Sequence, residues 1–195
     1  MAQYYERTRK GSSPVSLDEM KLWLKVPPTV TADDDLIQLL LDAATDYAEK
    51  YTSRDVRVNR WKLFLDEFPA RICVRRDPVD SIVAITRLVS GTATAVPTAT
   101  YYLKSHTQFS EVLLSPDQDW PTDQDVGVEH SIEVEVETRA VDCLDQIVAG
   151  IYRHVAYLYE NRGDCPPELV FNRLFDSVFA SGAARLYDLR RIARI

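Results

Sequence analysis

The hydrophobic period of this chain changes twice, and that change limits its fold more than any other feature. From residue 32 to 52 apolar side chains recur every three to four positions, from about 56 to 138 they recur every two, and from 141 the wider spacing returns. A period near 3.6 buries one stripe of a helix, whereas a period of two buries one face of a strand. The class this predicts is α+β and mainly α: a helical bundle carrying a β-rich insertion between its second and third main helices. The expected helices span about 16–25, 32–52, 141–162 and 167–180, with the insertion at about 56–138. Residues 1–14 read as a flexible N-terminal arm, 15–180 as one domain, and 181–195 as a C-terminal arm of basic and apolar residues.

Two helix starts are written in capping chemistry. Ser16 and Glu19 have the spacing of a capping box, with Val15 and Met20 placed to staple it. Pro27-Pro28 stops that helix. Thr31 is expected to repeat the device as an N-cap with Asp34, leaving Asp33, Asp34 and Asp35 in the first turn, where the helix dipole favours anions. Leu36, Leu40, Ala43, Ala44, Tyr47 and Tyr51 then form the predicted stripe, widened by Ile37, Leu41 and Ala48. Asp35, Gln38, Asp42, Thr45, Asp46 and Glu49 are expected on the opposite face.

In the period-two region Trp61, Leu63 and Leu65 alternate with Lys62 and Phe64, residues 79–90 are rich in β-branched side chains, and Ile132, Val134 and Val136 alternate with Glu133, Glu135 and Glu137. The three glutamates are expected on a solvated face or a subunit boundary. In the last third, Leu144, Ile147, Val148, Ile151, Val155, Leu158 and Tyr159 form a helical stripe that Gly163 would end. Pro166-Pro167 would open a further helix. Beyond Ser181-Gly182, Leu186, Leu189, Ile192 and Ile195 recur every three residues.

Charge narrows the function. The chain carries a net −7, which argues against a protein that grips nucleic acid, since affinity for phosphates comes mainly from Lys and Arg. Residues 185–195 hold Arg185, Arg190, Arg191 and Arg194 against Asp188, a net +3 on a body of −10. Arginines alternating with aliphatics beyond a hinge suit docking to a groove or acidic surface on another protein, or else a last helix packed on its own domain. No apolar run approaches a membrane span and no secretory signal is expected. Cys73, Cys143 and Cys165 are widely spaced, as reduced thiols of a cytosolic setting would be.

The chain offers little for chemistry. A nucleophile needs a base within reach and the base needs an orienting group. His106, His130 and His154 have no patterned partner, and His154 is expected to be half exposed on its helix. Asp33–Asp35 could join Asp117, Asp119 or Asp123 in a metal-dependent hydrolase, but no further ligand lies at metal spacing and no calcium-loop glycine is in register. A charged helix start and a solvated loop are the plainer readings. No phosphate-binding, dinucleotide or zinc-protease motif is present.

The order of these pieces has a further meaning. The capped helix 16–26 (SLDEMKLWLKV), the acidic helix 33–56 (DDDLIQLLLDAATDYAEKYTSRDV), 61–69 (WKLFLDEFP), 76–82 (RDPVDSI), Trp120-Pro121 and the helix 146–163 (QIVAGIYRHVAYLYENRG) follow one another. In this the chain resembles the head–tail connector (adaptor) proteins of tailed bacteriophages and gene-transfer particles, over roughly residues 16–165. The resemblance implies a structural virion protein made in the bacterial cytoplasm and placed in the neck. There it would form a homo-oligomeric ring, usually of twelve subunits, below the portal, extending the DNA channel and joining capsid to tail. It implies no enzymatic activity, cofactor or metal, and its partners would be the portal and a stopper or tail-completion protein. DNA would pass without specific binding, along a wall whose acids repel phosphate. The expected portal-binding residues are Arg185, Leu186, Tyr187, Leu189, Arg190, Arg191, Ile192, Arg194 and Ile195. A metal-dependent hydrolase and a soluble interaction module outside any virion are the alternatives.

Overall fold

The computed structural model describes residues 4–76, 78–106, 109–141, 144–161, 177–189 and 191. Two compact units divide the chain. One joins residues 1–12 to 57–140, the other 13–56 to 141–195. The expectation of a mainly helical bundle is overturned: 33% of the residues are helical and 28% lie in strands, and the strands build two antiparallel sheets. The period-two region buries a full core of its own and recruits the N-terminus, so it stands as an equal unit.

That β unit contains β1 (Tyr4–Arg9), β2 (Arg60–Leu65), β3 (Ile72–Val74), β4 (Val79–Val89), β5 (Thr92–Ala95), β6 (Tyr101–Ser105), β7 (Ser110–Leu114) and β8 (Ile132–Thr138). Five strands pair in the order β1-β2-β8-β4-β5 and three in the order β3-β7-β6. In the central pair Trp61 faces Val136, Leu63 faces Val134 and Leu65 faces Ile132, and all six side chains are buried. Each such burial is worth about 1.5–3 kcal/mol, which fixes the register, because a slip of one residue would put all six in water. Ile85 of β4, Ile72 and Val74 of β3 and Val112 of β7 complete the core.

The N-terminal segment, read as a flexible arm, supplies the edge strand β1. Tyr5 explains why it is held: its hydroxyl accepts from Arg75 N at 2.9 Å, and the Arg76 guanidinium lies 3.7 Å from the centre of the Trp61 ring and 5.6 Å from that of Tyr5. Cation–π contacts of this kind are contacts between residues far apart in sequence, and hydrophobic periodicity does not report them.

The helical unit contains α1 (Leu17–Trp23), α2 (Asp34–Thr52), α3 (Leu144–Glu160) and α4 (Ala183–Asp188), and residues 177–180 are also helical. The capping box forms as predicted: Glu19 N donates to Ser16 Oγ and Ser16 N to Glu19 Oε2, with Val15 and Met20 buried beside it. At α2 the N-cap is Asp33 and not Thr31; the Thr31 carbonyl accepts from Asp34 N instead. The buried stripe of α2 is also turned by one position. It runs through Ile37, Leu41, Ala44 and Ala48, and takes in Thr45, Glu49 and Thr52. Burial of these polar groups is tolerated because each is bonded: Thr45 Oγ1 donates to Leu41 O and Thr52 Oγ1 to Ala48 O, both at 2.7 Å, and Glu49 Oε1 accepts from Val56 N. Ile147, Ile151 and Val155 of α3 are buried as expected. The predicted helix start at Pro166-Pro167, the stop at Gly163, and Cys143 and Cys165 lie outside the described residues.

Candidate interaction surfaces

The aspartate triplet is structural framework. Lys21 of α1 is 2% exposed, and its ammonium donates to Pro28 O at 3.2 Å, Val30 O at 2.7 Å and Asp34 Oδ1 at 2.7 Å. Three protons meet three acceptors, which is what lets a lysine be buried. Asp33 accepts from the Tyr159 hydroxyl of α3, and Asp35 is exposed. The triplet thus ties α1, the turn after it and α3 to the start of α2. Among the described residues no group of three or more His, Cys, Asp or Glu stands in a position to hold a metal ion.

The second acidic stretch is equally engaged. Asp123 takes a two-pronged bond from Arg87 at 2.7 and 2.9 Å, and the guanidinium holds its carboxyl below the usual carboxylate range. Asp125 accepts from Ser90 N and Gly91 N, each at 2.8 Å. Ser90 and Gly91 both have positive φ, the hairpin geometry that fits the twist of flanking strands and for which Ser is a poor choice. Asp125 therefore stabilises the β4–β5 turn from outside it. Asp117 and Asp119 are exposed.

Of the histidines, His154 departs most from expectation. It is fully buried, its Nε2 lies 2.8 Å from Ser177 Oγ, its Nδ1 has no partner, and burial lowers its pKa to about 4. His106 does have a partner, Glu111, at 2.9 Å across the β6–β7 hairpin. That bond, with Arg71 at 3.5 Å, holds the Glu111 carboxyl below its ordinary value. His130 stacks on Tyr4 and lies tilted against Phe64. Among the described residues, none of these three histidines pairs with a nucleophile while an orienting partner holds its other ring nitrogen.

The three glutamates of β8 form a laced face with β2. Glu137 pairs with Arg60 at 2.9 Å and Arg9 at 3.7 Å, and Glu133 with Lys62 at 2.8 Å. Partly exposed pairs of this kind contribute little stability. They set the charge pattern of a surface.

The C-terminal residues divide. Tyr187 is fully buried with Ala183 and Ala184, its ring lying on α3 at Gly150, where any Cβ would meet Tyr187 Cδ1 at 2.9 Å. Burial pushes its hydroxyl pKa up. Tyr51 of α2 donates to Asp188 Oδ1 at 2.8 Å, and Arg191 lies 5.1 Å over the Tyr51 ring. Arg185, Leu189 and Arg191 are exposed and Leu186 is half-buried, with Phe179 exposed beside Tyr51. Of the residues expected to bind a partner, then, Tyr187 is committed to its own core. Arg190, Ile192, Arg194 and Ile195 lie outside the described residues. Sequence spacing favoured Leu186 and Leu189 over Tyr187; the pair Ala183-Ala184 one turn before Tyr187 was the signal for the true stripe.

The chain shares features of sequence and of fold with known proteins. Residues 14–86 match the phage gp6-like head–tail connector protein family, which bears out the resemblance read from the sequence. In fold, the chain is similar almost end to end to a chain from the neck of an empty GTA particle computed with C6 symmetry, with a TM-score of 0.73 at 15% identity, covering 98% of this chain and 97% of that one. A chain from the virion of a native gene transfer agent (GTA) particle matches with a TM-score of 0.70 at 17% identity, covering 98% and 96%. A third, from the neck of a native GTA particle computed with C12 symmetry, gives 0.67 at 18% identity, covering 97% of each. No curated protein matches the chain by sequence.

Proposed function

We propose that this chain is a structural virion protein, a head–tail connector whose copies form a ring in the particle neck, extend the DNA channel and join capsid to tail. The observation that carries this reading is the end-to-end likeness to neck chains, together with the family match over residues 14–86. The ring has twelve copies in this reading, after the symmetry of one of those necks. Its net charge of −7 per copy suits a channel that DNA must slide through, since an acidic wall repels phosphate where a basic one would hold it. The role is contact and shape, without catalysis or cofactor.

Residues 185–195 are the proposed portal-binding arm, and the β unit faces the stopper or tail-completion protein. Tyr187 anchors the arm to the helical unit, while Arg185, Leu189 and Arg191 offer charge and apolar surface. Particles assembled without this chain should carry packed heads and no attached tails by electron microscopy; tailed particles in normal yield would refute the connector role. Removing residues 190–195, which spares Tyr187 and Asp188, should abolish attachment to portal-bearing heads with little change in melting temperature. Unchanged attachment would remove the arm from the scheme.

A further inference from the structure

In a chain this acidic, contact between copies is favoured where acids are missing, because like charges facing across an interface oppose association. Residues 88–103 contain no charged side chain. Within that run lies β5, one of the two edge strands of the five-stranded sheet. The two edges of the sheet differ. β1 carries Glu6, Arg7 and Arg9, with a register irregularity between Arg7 and Arg9, whereas β5 reads Thr-Ala-Thr-Ala.

The hydrogen bonding of β5 says which of its groups point outward. Val96 N donates to Ile85 O at 2.8 Å, so Val96, Thr94 and Thr92 turn their backbone toward β4, and Ala93 and Ala95 turn theirs away. The Ala95 carbonyl is taken by Arg87 at 3.2 Å; the two amides and the Ala93 carbonyl remain along the edge. A second apolar feature adjoins it. Asp125, bonded to the turn that starts β5, is followed by Val126, 91% exposed, and Val128, 42% exposed, on either side of Gly127.

We propose that the β5 edge and the Val126–Val128 tip seat the β1 strand of the next copy of this chain, so that the five-stranded sheets run on from subunit to subunit. The inference deepens the ring reading and rests on it. Ring closure requires two different patches on each copy, joined head to tail, and the sheet has two different edges to offer. The pairing has a direction. Each neighbouring pair in the sheet is antiparallel, so β1 and β5 of one copy point the same way, and a head-to-tail repeat sets the next β1 parallel to β5.

Disulfide trapping in assembled necks tests it, in a chain whose cysteines are replaced by Ser. Ala93→Cys combined with Glu6→Cys or with Thr8→Cys should give a ladder of cross-linked species up to the full ring in at least one combination. Ala93→Pro, which removes only an outward amide, and Ala93→Glu should each raise the concentration needed for ring assembly by about tenfold or more while the folded monomer melts as before. Cross-linking of Ala93→Cys alone, to dimers and no further, would mean a two-fold β5–β5 contact and overturn the inference. Rings that form normally with both Ala93 variants and trap in neither combination would overturn it too, leaving the ring itself intact. Necks without any ring of this chain would remove the reading beneath it.

Discussion

Gly150→Ala sets two well-measured effects against each other. Gly150 lies inside α3, where alanine is the better helix former by about 1 kcal/mol, so propensity alone makes the substitution stabilising. The structure reverses the sign. A methyl at this position would meet Tyr187 Cδ1 at 2.9 Å and Cζ at 3.0 Å, with Cε1 closer still. Tyr187 is fully buried, with the Tyr51 ring 5.9 Å away, so the ring cannot step aside cheaply. Overpacking of a close-packed site costs about 1–3 kcal/mol, which leaves a net loss of about 1 kcal/mol or somewhat more. With Tyr187→Ala in the background the clash is gone, and the same substitution should stabilise by about 1 kcal/mol. The assay is a double-mutant cycle by urea denaturation, in which the two ΔΔG values should differ in sign. Equal effects in both backgrounds, or stabilisation of the native chain by Gly150→Ala, would refute the reasoning and detach α4 from α3.

Lys21→Met removes the ammonium but leaves Pro28 O, Val30 O and Asp34 without their donor; a loss of about 2–4 kcal/mol in denaturant midpoint analysis is expected, and a neutral result would show that water replaces the lysine. His154 predicts a pH dependence. Its folded pKa is depressed from 6.5 to about 4, so the unfolded chain takes up the proton first. The stability this ring contributes is full above about pH 6.5 and is lost as pH falls toward 4, about 3 kcal/mol in all. His154→Leu should flatten the slope between pH 6.5 and 5, a window above the carboxylates that Arg and His partners hold low; an unchanged slope there would assign it elsewhere. Asp125→Ala should cost about 1 kcal/mol, and faster hydrogen exchange at Ser90 and Gly91 would localise the change to the β4–β5 turn.

Elements were legible wherever one local rule decided them. The capping box of α1, the alternation of β2 and β8 and the stripe of α3 each follow from neighbours within a few residues. Failures came where distant partners decide. Thr45, Glu49 and Thr52 look solvent-facing by type, and only their bonds to Leu41 O, Val56 N and Ala48 O make burial tolerable. Tyr4–Arg9 looks like a loose arm because its partners on β2 lie far along the chain, as does the Cys73 carbonyl to which Tyr5 donates. His154 looked half exposed because Ser177 could not be placed against it. The candidate surface was seen in charge and missed in packing: the arginines of the tail were evident, but the anchor Tyr187 and its seat at Gly150 were not. Judging the chain mainly α came from weighing a region of period two as an ornament, when its alternating positions were numerous enough to fill a separate core.

The units are interleaved, since each is assembled from two stretches that flank a segment of the other. β8, the central strand of the large sheet, is synthesised after residue 131, and its neighbour β2 lies near residue 60. Neither core can therefore close until most of the chain has left the ribosome, and no single cut separates the two cores with both intact. Residues 14–86, which carry the family pattern, hold Met20, Ile37 and Leu41 from one core and Trp61, Leu63 and Ile85 from the other. Expressed by itself, that fragment would have parts of two interiors and the completion of neither, so the heritable pattern and the cooperative folding unit are different objects in this protein.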